Sequence, residues 1–470
     1  MGTGFFEAGG QPADMGKLRP AAGVIPLRNK AGEWQVYLVQ RGRKGKFFPG
    51  FHAFPGGAMD SADASHAHCA ARELFEETGL WVGPRQPEAE WRRRWLAGEV
   101  GWNELVDQHP QQLEGLLPAG VRTTPAYALA RFRAQFFLWM CPQEQQAEVW
   151  PGELENGAWW PLDEALQAWR EGEMFWAAPT QDSLHGLSRC SGFDEAVARL
   201  ASIPEDTPDP IRVLPGLAYL PLETATLPPA RHTLCYVLGQ EALVLVDPAA
   251  PEWPRLDAVV DGREVLGVVF THHHPDHVGG LAGCQERGWP LWGHPGTGCW
   301  RGVEREGGWR AGDGRGVGGW RVLHPPGPAW GPRALWEAST AILLAGDLVS
   351  GASTILIPPP DGHMGDYLQS LRRCSELQPR LVLPSQGGPL VPRSRLLEET
   401  LEHRLAREAR LLEELGSQGG DLDELLPRVY ADVQGPALEW ARISLQAHLE
   451  KLLEEQRVIH HQQGYRLAPA

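Results

Sequence analysis

Apolar and polar positions mark out a series of elements along the chain. Residues 21–40, AAGVIPLRNKAGEWQVYLVQ, hold two apolar runs around a polar turn with Asn29, Lys30 and Gly32, and they predict two strands. A glycine-rich loop comes next, and residues 69–80 then carry a helical pattern. Residues 88–117, rich in Glu, Arg, Trp and Leu and broken by Pro110, predict a mostly helical insertion before a strand at 132–140. Pro204, Pro208 and Pro210 amid acidic residues make 190–215 the best linker candidate. Beyond it, apolar strands at 234–238, 242–246, 265–270, 341–344 and 381–383 alternate with turns and helices, the pattern of a layered α/β domain. From about residue 396 the pattern turns helical, through LLEETLEHRLAREARLLEEL, DLDELLPRVY and LEWARISLQAHLEKLLEEQRVI. No internal repeat of 20–50 residues is visible.

A chain of 470 residues with 42% hydrophobic and 22% charged residues reads as globular, with about three domains. No apolar stretch approaches the ~20 residues of a membrane span, and MGTGFFEAGGQPADMGKLRP lacks the build of a secretory leader, so a cytoplasmic protein without a membrane partner is expected. Seven scattered cysteines (Cys69, Cys141, Cys190, Cys235, Cys284, Cys299, Cys374), none in a CxxC pair, argue for reduced thiols and against a cysteine zinc site. A net charge of −16 disfavours non-specific nucleic-acid binding, which needs clustered Lys and Arg.

The densest chemical signal is Gly56 and Gly57 followed by Arg72, Glu73, Glu76, Glu77 and Gly79 in AARELFEETGL. On a helix, positions 73, 76 and 77 share one face, and their like charges cost a few tenths of a kcal/mol per pair unless neutralised. A solvated acidic face is the bland alternative. Oxygen ligands gathered on one surface suit Mg²⁺, which commonly bridges carboxylates to substrate phosphates. The glycines permit close backbone approach, and Arg72 can orient a carboxylate by paired hydrogen bonds.

This run resembles the Nudix box. It is complete from Arg72 onward, while upstream Asp63 stands where the box has Glu and eight residues precede Arg72. The flanks FFPGFHAFPGG and RTTPAYALARFRAQFF, with WWPLDEAL and the APT at 178–180, are similar to the coenzyme-A-diphosphatase-like branch, over about residues 18–190. The resemblance implies an α/β/α sandwich, Mg²⁺ or Mn²⁺ on Glu73, Glu76 and Glu77, Arg72 as positioner, Gly56 and Gly57 beside the substrate, and attack of water on a small-molecule diphosphate. Coenzyme A, acyl-coenzyme A, nucleotide sugars, dinucleotides and capped RNA ends all stay open as substrates. Glu153 and Glu155 are weak candidates for a further ligand or base, and Trp159 or Trp160 for stacking on a base.

A second constellation follows the apolar run VLGVVF. THHHPDHVGG places His272, His274, Asp276 and His277 within six residues, a donor set suited to a borderline metal, usually Zn²⁺. The segment resembles the HxHxDH signature of the metallo-β-lactamase superfamily. TLPPARHTLCYVLG, LVDPAA, AGDLV and PPPDGHMGDYLQSLRR extend the likeness to its glyoxalase-II-like and endoribonuclease-like branch. The resemblance implies an αβ/βα sandwich with one metal on His272 and His274, another on Asp276 and His277, and Asp347 bridging. Pro328 then stands where the first site needs its third histidine, and Gln386 where the second needs its last. His294, His324 and His363 are candidates to compensate.

The carboxyl-terminal helices resemble the winged-helix cap of the same branch. Their acidic composition makes packing or homodimer formation at least as good an expectation as nucleic-acid contact. His460 and His461 are expected at a solvent-facing turn. The fold expected is multidomain α/β: a Nudix domain at 18–190, a linker at 191–210, a metallo-β-lactamase-like domain at 211–395 and a small helical winged-helix-like cap at 396–470. The leading functional expectation is a diphosphate hydrolase beside a degenerate second half. The alternatives are a zinc-dependent thioester or ester hydrolase or endoribonuclease through that half, and a non-catalytic metabolite-binding or scaffold protein.

Overall fold

The structure is a computed structural model that describes residues 17–42, 48–128, 130–150, 153–293, 310–311, 319–323, 334–352, 354–391, 395–461 and 464–469. His294, Cys299, His324 and Pro328 lie outside the described residues. The chain divides into two compact units, Met1–Leu214 and Pro215–Ala470.

The first unit contains β1 (Leu18–Lys30), β2 (Glu33–Arg41), β3 (His52–Ala53), β4 (Gly56–Ala58), α1 (His66–Thr78), α2 (Ala89–Leu96), α3 (Trp102–Gln108), β5 (Leu117–Thr123), β6 (Arg131–Met140), β7 (Leu154–Pro161), α4 (Leu162–Arg170), α5 (Ala178–Leu187), α6 (Phe193–Ala201) and β8 (Ile211–Leu214). Its sheet runs β3-β2-β1-β6-β5, with β4 added on β1 and β7 on β2. The first hairpin closes through Ala31 and Gly32, both at positive φ, so Asn29 and Lys30 end the strand and do not form the turn itself. Helix α1 lays Cys69, Ala70, Ala71, Leu74 and Phe75 into the core. The insertion docks by aromatic rings: Phe75, Trp81 and Leu105 form a buried cluster against which Trp91, Trp95 and Trp102 pack.

The stretch expected as a linker folds. Helix α6 buries Ala196 and Leu200, and the buried Arg122 donates to Leu200 O at 3.0 Å and Ile203 O at 3.4 Å, tying the end of α6 and the residues after it to β5. Glu205 accepts from Thr123 Oγ1 at 2.8 Å and pairs with Arg133 at 2.7 Å. Pro204 follows the Ser202 cap of α6, and the Thr123 amide then donates to Glu205 O at 2.9 Å at the edge strand β5.

The second unit contains β9 (Leu217–Glu223), β10 (His232–Leu238), β11 (Ala242–Val246), α7 (Trp253–Val260), β12 (Glu264–Val269), α8 (Pro275–Val278), α9 (Leu281–Glu286), β13 (Leu291–Trp292), β14 (Arg310–Ala311), β15 (Trp320–Leu323), β16 (Ala334–Glu337), β17 (Ile342–Gly346), α10 (Met364–Glu376), β18 (Leu381–Pro384), α11 (Leu396–Ser417), α12 (Leu422–Val429), α13 (Ala437–Glu454), β19 (Val458–His461) and β20 (Gly464–Leu467). One sheet carries the order β13-β12-β11-β10-β9 and the other β14-β15-β16-β17-β18. Tyr236 Oη donates to Pro384 O at 2.6 Å and the Leu234 amide to Ser385 O at 2.8 Å, stitching β10 to the end of β18. Helices α7 and α9 pack on the first sheet and α10 on the second.

The last helices and the β19–β20 hairpin enclose their own core of Leu411, Leu425, Leu445, Leu449 and Val458. Within this part the buried Glu408 meets Lys451 at 2.9 Å and His448 at 3.3 Å. His460 and His461 are exposed as expected, but on strand β19 and not in a turn. Among the described residues no helix is long and apolar enough to cross a membrane.

Candidate functional site

Helix α1 starts at Ser65, whose side chain accepts from the His68 amide, and ends at Gly79 in the left-handed region with φ 72°. Between these caps the helix carries Glu73, Glu76 and Glu77, while Asp63 lies just before it. Arg72 grips Asp63 with a two-pronged contact, Nε to Oδ1 at 3.0 Å and Nη2 to Oδ2 at 2.8 Å. Its third nitrogen, Nη1, donates to Glu73 at 2.8 Å and Glu76 at 3.3 Å. One guanidinium thus aligns three carboxylates. Burial works against charge on Asp63, but the Arg72 hydrogen bonds and the Asp60 amide outweigh it and lower the pKa.

The two glycines act on the other side of the carboxylates. The Gly56 amide donates to Glu77 Oε2 at 2.9 Å, and Gly56 has φ 157°. A Cβ on Gly57 would stand 2.5 Å from Glu73 Oε2, so only glycine lets the loop lie on that carboxylate. Burial pushes Glu77 up to about 8, with the charge of Glu73 adding to it, and pushes Glu73 up to about 7 against the pull of Arg72. Glu76 is the most open of the three, with 42% of its side chain exposed against 15% for Glu73. Carboxylates packed so that charge is disfavoured suit a hard cation, and every donor here is oxygen.

Beside this group lies a cavity of about 470 Å³, lined by Asp60, Asp63, Arg72, Trp95, Trp102 and Asn103. The insertion helices therefore bring aromatic rings to the Nudix-box residues, a role the sequence reading had given to Trp159 and Trp160. Trp159 is instead engaged by the Arg28 guanidinium, 4.3 Å above its ring, and by Tyr37. Glu153 and Glu155 are both exposed, and Glu153 reaches the carboxylates only as a charge that raises the pKa of Glu77.

The second constellation sits where β12 hands over to α8. Asp247, at φ 51° just after β11, accepts from the Thr271 amide at 2.7 Å, from Thr271 Oγ1 at 2.6 Å and from His277 Nδ1 at 2.9 Å. That contact fixes the His277 ring with Nε2 turned toward Asp347, the carboxylate–histidine arrangement that orients metal ligands. A Cβ on Gly279 or Gly280 would lie 2.2 Å from a carbonyl oxygen of Ala249 or Pro248, so the glycine pair lets α8 settle on the Asp247 loop.

His272, His277 and Asp347 bring one ligand atom each within 4.8 Å of one another. His277 Nε2 lies 3.4 Å from Asp347 Oδ1, yet misaligned, so both buried atoms lack a hydrogen-bond partner. Burial opposes charge on His277, but Asp347 and Asp247 raise its pKa well above the usual value; burial and the His277 charge hold His272 well below it. Orphaned donors and acceptors in a nitrogen and carboxylate pocket fit a borderline cation.

The remaining predicted ligands diverge. His274 Nδ1 is 3.0 Å from His272 Nε2, while Asp276 Oδ2 is 3.9 Å from His277 Nε2 and receives the Gln386 amide at 3.4 Å. Gln386 thus reaches the neighbourhood of the missing histidine but presents an N–H to Asp276. His363 does not compensate: its nitrogens cap α10 through the Asp366 amide and meet Glu454 at 2.6 Å. Sequence reasoning missed Asp247, His273 and Asp361 as individual participants. The aspartates lay in the quoted runs LVDPAA and PPPDGHMGD, and His273 within the histidine run.

Comparison with known families and proteins fits this geometry. The NUDIX domain matches residues 17–177, the metallo-beta-lactamase superfamily residues 228–386, and the beta-lactamase-associated winged helix domain residues 422–466. The chain is 32% identical over 127 residues to "Probable metallo-hydrolase YqjP" of Bacillus subtilis (strain 168), covering 24% of this chain and 40% of that protein. It is 25% identical over 185 residues to "Putative nudix hydrolase 7" of Caenorhabditis elegans, covering 34% of this chain and 58% of that one. Both of these matches span less than two thirds of the relative's length. A beta-lactamase domain protein from Burkholderia ambifaria aligns with a TM-score of 0.48 and 21% identity, over 55% of this chain and 94% of its own. The chain carries a NUDIX domain, a metallo-beta-lactamase superfamily domain and a beta-lactamase-associated winged helix domain, in that order.

Proposed function

We propose that the first unit is a Mg²⁺- or Mn²⁺-dependent hydrolase of a diphosphate linkage in a nucleotide-derived small molecule, coenzyme A or an acyl-coenzyme A being the leading candidates. The observation that carries this reading is the packing of Glu73 and Glu77 against Gly57 and Gly56, which leaves two carboxylates where burial disfavours their charge. Glu73, Glu76 and Glu77 would hold the cation, which when bound supplies stabilisation of the charge developing on the phosphoryl oxygens. Water forms the new bond to phosphorus, the bridging P–O bond breaks, and the water's proton passes to one of the glutamates. Arg72 keeps Glu73 and Glu76 aligned while Asp63 holds Arg72. Gly56 and Gly57 act through these carboxylates more than through the substrate. The cavity bearing Trp95 and Trp102 suits an aromatic base beside the reacting diphosphate.

Cleavage of coenzyme A, nucleotide sugars and dinucleotides into two phosphomonoesters, followed by chromatography with and without Mg²⁺, tests the reading. Mg²⁺-dependent turnover that Glu76→Gln and Glu77→Gln abolish is expected; turnover unchanged in both variants would overturn it.

A second reading is favoured by the His272, His277 and Asp347 pocket: zinc-dependent hydrolysis of an ester, thioester or RNA by the second unit. The expected residue set for two ions is short by Gln386, so this half is proposed as altered relative to its family. Retained zinc together with activity lost in Asp276→Ala would favour this second reading. With these assignments the first catalytic body is proposed to run past the expected limit of 190 to about 214, and the metal-binding body from 215 to 395.

A further inference from the structure

We propose that the second unit holds a metal ion on His273, His274 and Asp361, a set in which only His274 belongs to the ligands that the signature HxHxDH designates. This inference is independent of diphosphate hydrolysis by the first unit. His273 is a spacer in that signature, and Asp361 belongs to none of the expected ligand positions.

Three observations point to this site. The His273 Nε2, His274 Nε2 and Asp361 Oδ2 atoms lie within 4.8 Å of one another, with Asp361 3.5 Å from His273 and 3.2 Å from His274. A tetrahedral zinc ion with bonds of roughly 2.0–2.1 Å has donor–donor edges of about 3.3–3.4 Å, so the two separations from Asp361 need only small adjustment. The donors also sit on two anchored segments. The histidine run is pinned at Thr271 by Asp247 and at His274 by the first turn of α8, whose His277 amide donates to His274 O at 2.9 Å. Asp361 lies in a turn closed by the Gly362 amide on Pro358 O at 2.8 Å, directly before α10.

The third observation is exposure. About a third of each side chain is open, 32% for His273, 30% for His274 and 27% for Asp361, leaving room for water or a ligand at a fourth position. The buried His272, His277 and Asp347 group lies next to it, and the His274 ring joins the two, with Nδ1 toward His272 and Nε2 toward Asp361. The ordinary second position is obstructed because Gln386 donates to Asp276. A chain that cannot complete that position places its outer ion toward the α10 loop.

The competing account makes Asp361 only an acceptor for His274 N–H, orienting the ring. His273 separates the two, because it has no part in the orienting role. The full-length protein is stripped with chelator, reconstituted with zinc in excess Mg²⁺ to saturate the carboxylate site, desalted, and its metal content measured by mass spectrometry. His273→Ala and Asp361→Ala are each expected to lose one equivalent of zinc relative to the unmodified chain, and Asp361→His to regain it. His273→Ala retaining the full zinc content would overturn the proposal, as would failure of Asp361→His to restore what Asp361→Ala loses. Melting curves in chelator, where no variant holds metal, identify any loss caused by misfolding. Should either alanine variant melt early, the histidine replacement at 361 decides the outcome alone.

Discussion

The two candidate sites solve one problem, gathering like or competing charges, with opposite materials. In the first unit every donor is a carboxylate, Glu73, Glu76 and Glu77 come from one stretch of α1, and a single arginine aligns the first two together with Asp63. In the second, imidazoles from one short run meet aspartates arriving from three distant points, Asp247, Asp347 and Asp361. The first arrangement is local and suits a hard cation; the second depends on tertiary folding and suits a borderline one. A local site survives as long as its helix does, whereas the distributed one can lose a ligand and rearrange.

The comparison predicts that the sites fail separately. Glu77→Gln should lower Mg²⁺-dependent diphosphate hydrolysis about 1000-fold, the range of a lost acid–base or ligand group, while Asp347→Asn should leave that rate unaltered and reduce retained zinc. Loss of diphosphate hydrolysis in Asp347→Asn would break the separation. Gly57→Ala comes next. Its Cβ would press on a carboxylate tip, which can swing aside, so stability should change by under about 1 kcal/mol while turnover falls roughly 100-fold. A large drop in melting temperature would show that the loop and not the carboxylate gives way.

Trp102→Ala should raise KM roughly tenfold with kcat nearly unchanged, the size of one lost base-stacking contact. An unaltered KM for a nucleotide substrate would move the base away from the insertion helices. A further effect is one of pH. Glu73 and Glu77 titrate near 4.5 when unfolded and are raised to about 7 and about 8 when folded, so between these values the native state binds more protons than the unfolded chain. Stability in chelator should therefore fall as pH rises from about 4.5 to about 8, and Mg²⁺ should flatten that slope. Thermal melts across this range, with and without Mg²⁺, measure it.

What could be read along the chain divides the same way. Arg72, Glu73, Glu76 and Glu77 were legible because helical spacing alone puts them together, and the hairpin and core strands because apolar runs alternate with turn residues. Asp63 as the partner of Arg72 needs the loop between them to fold back, and the raised pKa values need burial, which spacing does not contain. Asp247 reaches His277 across 30 positions and Asp361 reaches His274 across 87, so only the packing of β11, β12 and the α10 loop reveals them. Prolines at 204, 208 and 210 read as a linker because the carbonyl-holding role of Arg122 is invisible in local pattern.

That last contact sets where the molecule can be cut. A fragment ending near residue 190 would keep the whole acidic helix but strip away α6 and the Glu205 anchor. The Arg122 guanidinium, only 3% exposed as a residue, would then be uncovered and left with the carbonyls of Ala119 and Val121 alone, having lost those of Leu200 and Ile203. A stand-alone first unit should therefore run to about residue 214, and a shorter one should be prone to aggregation along the sheet edge that α6 otherwise covers.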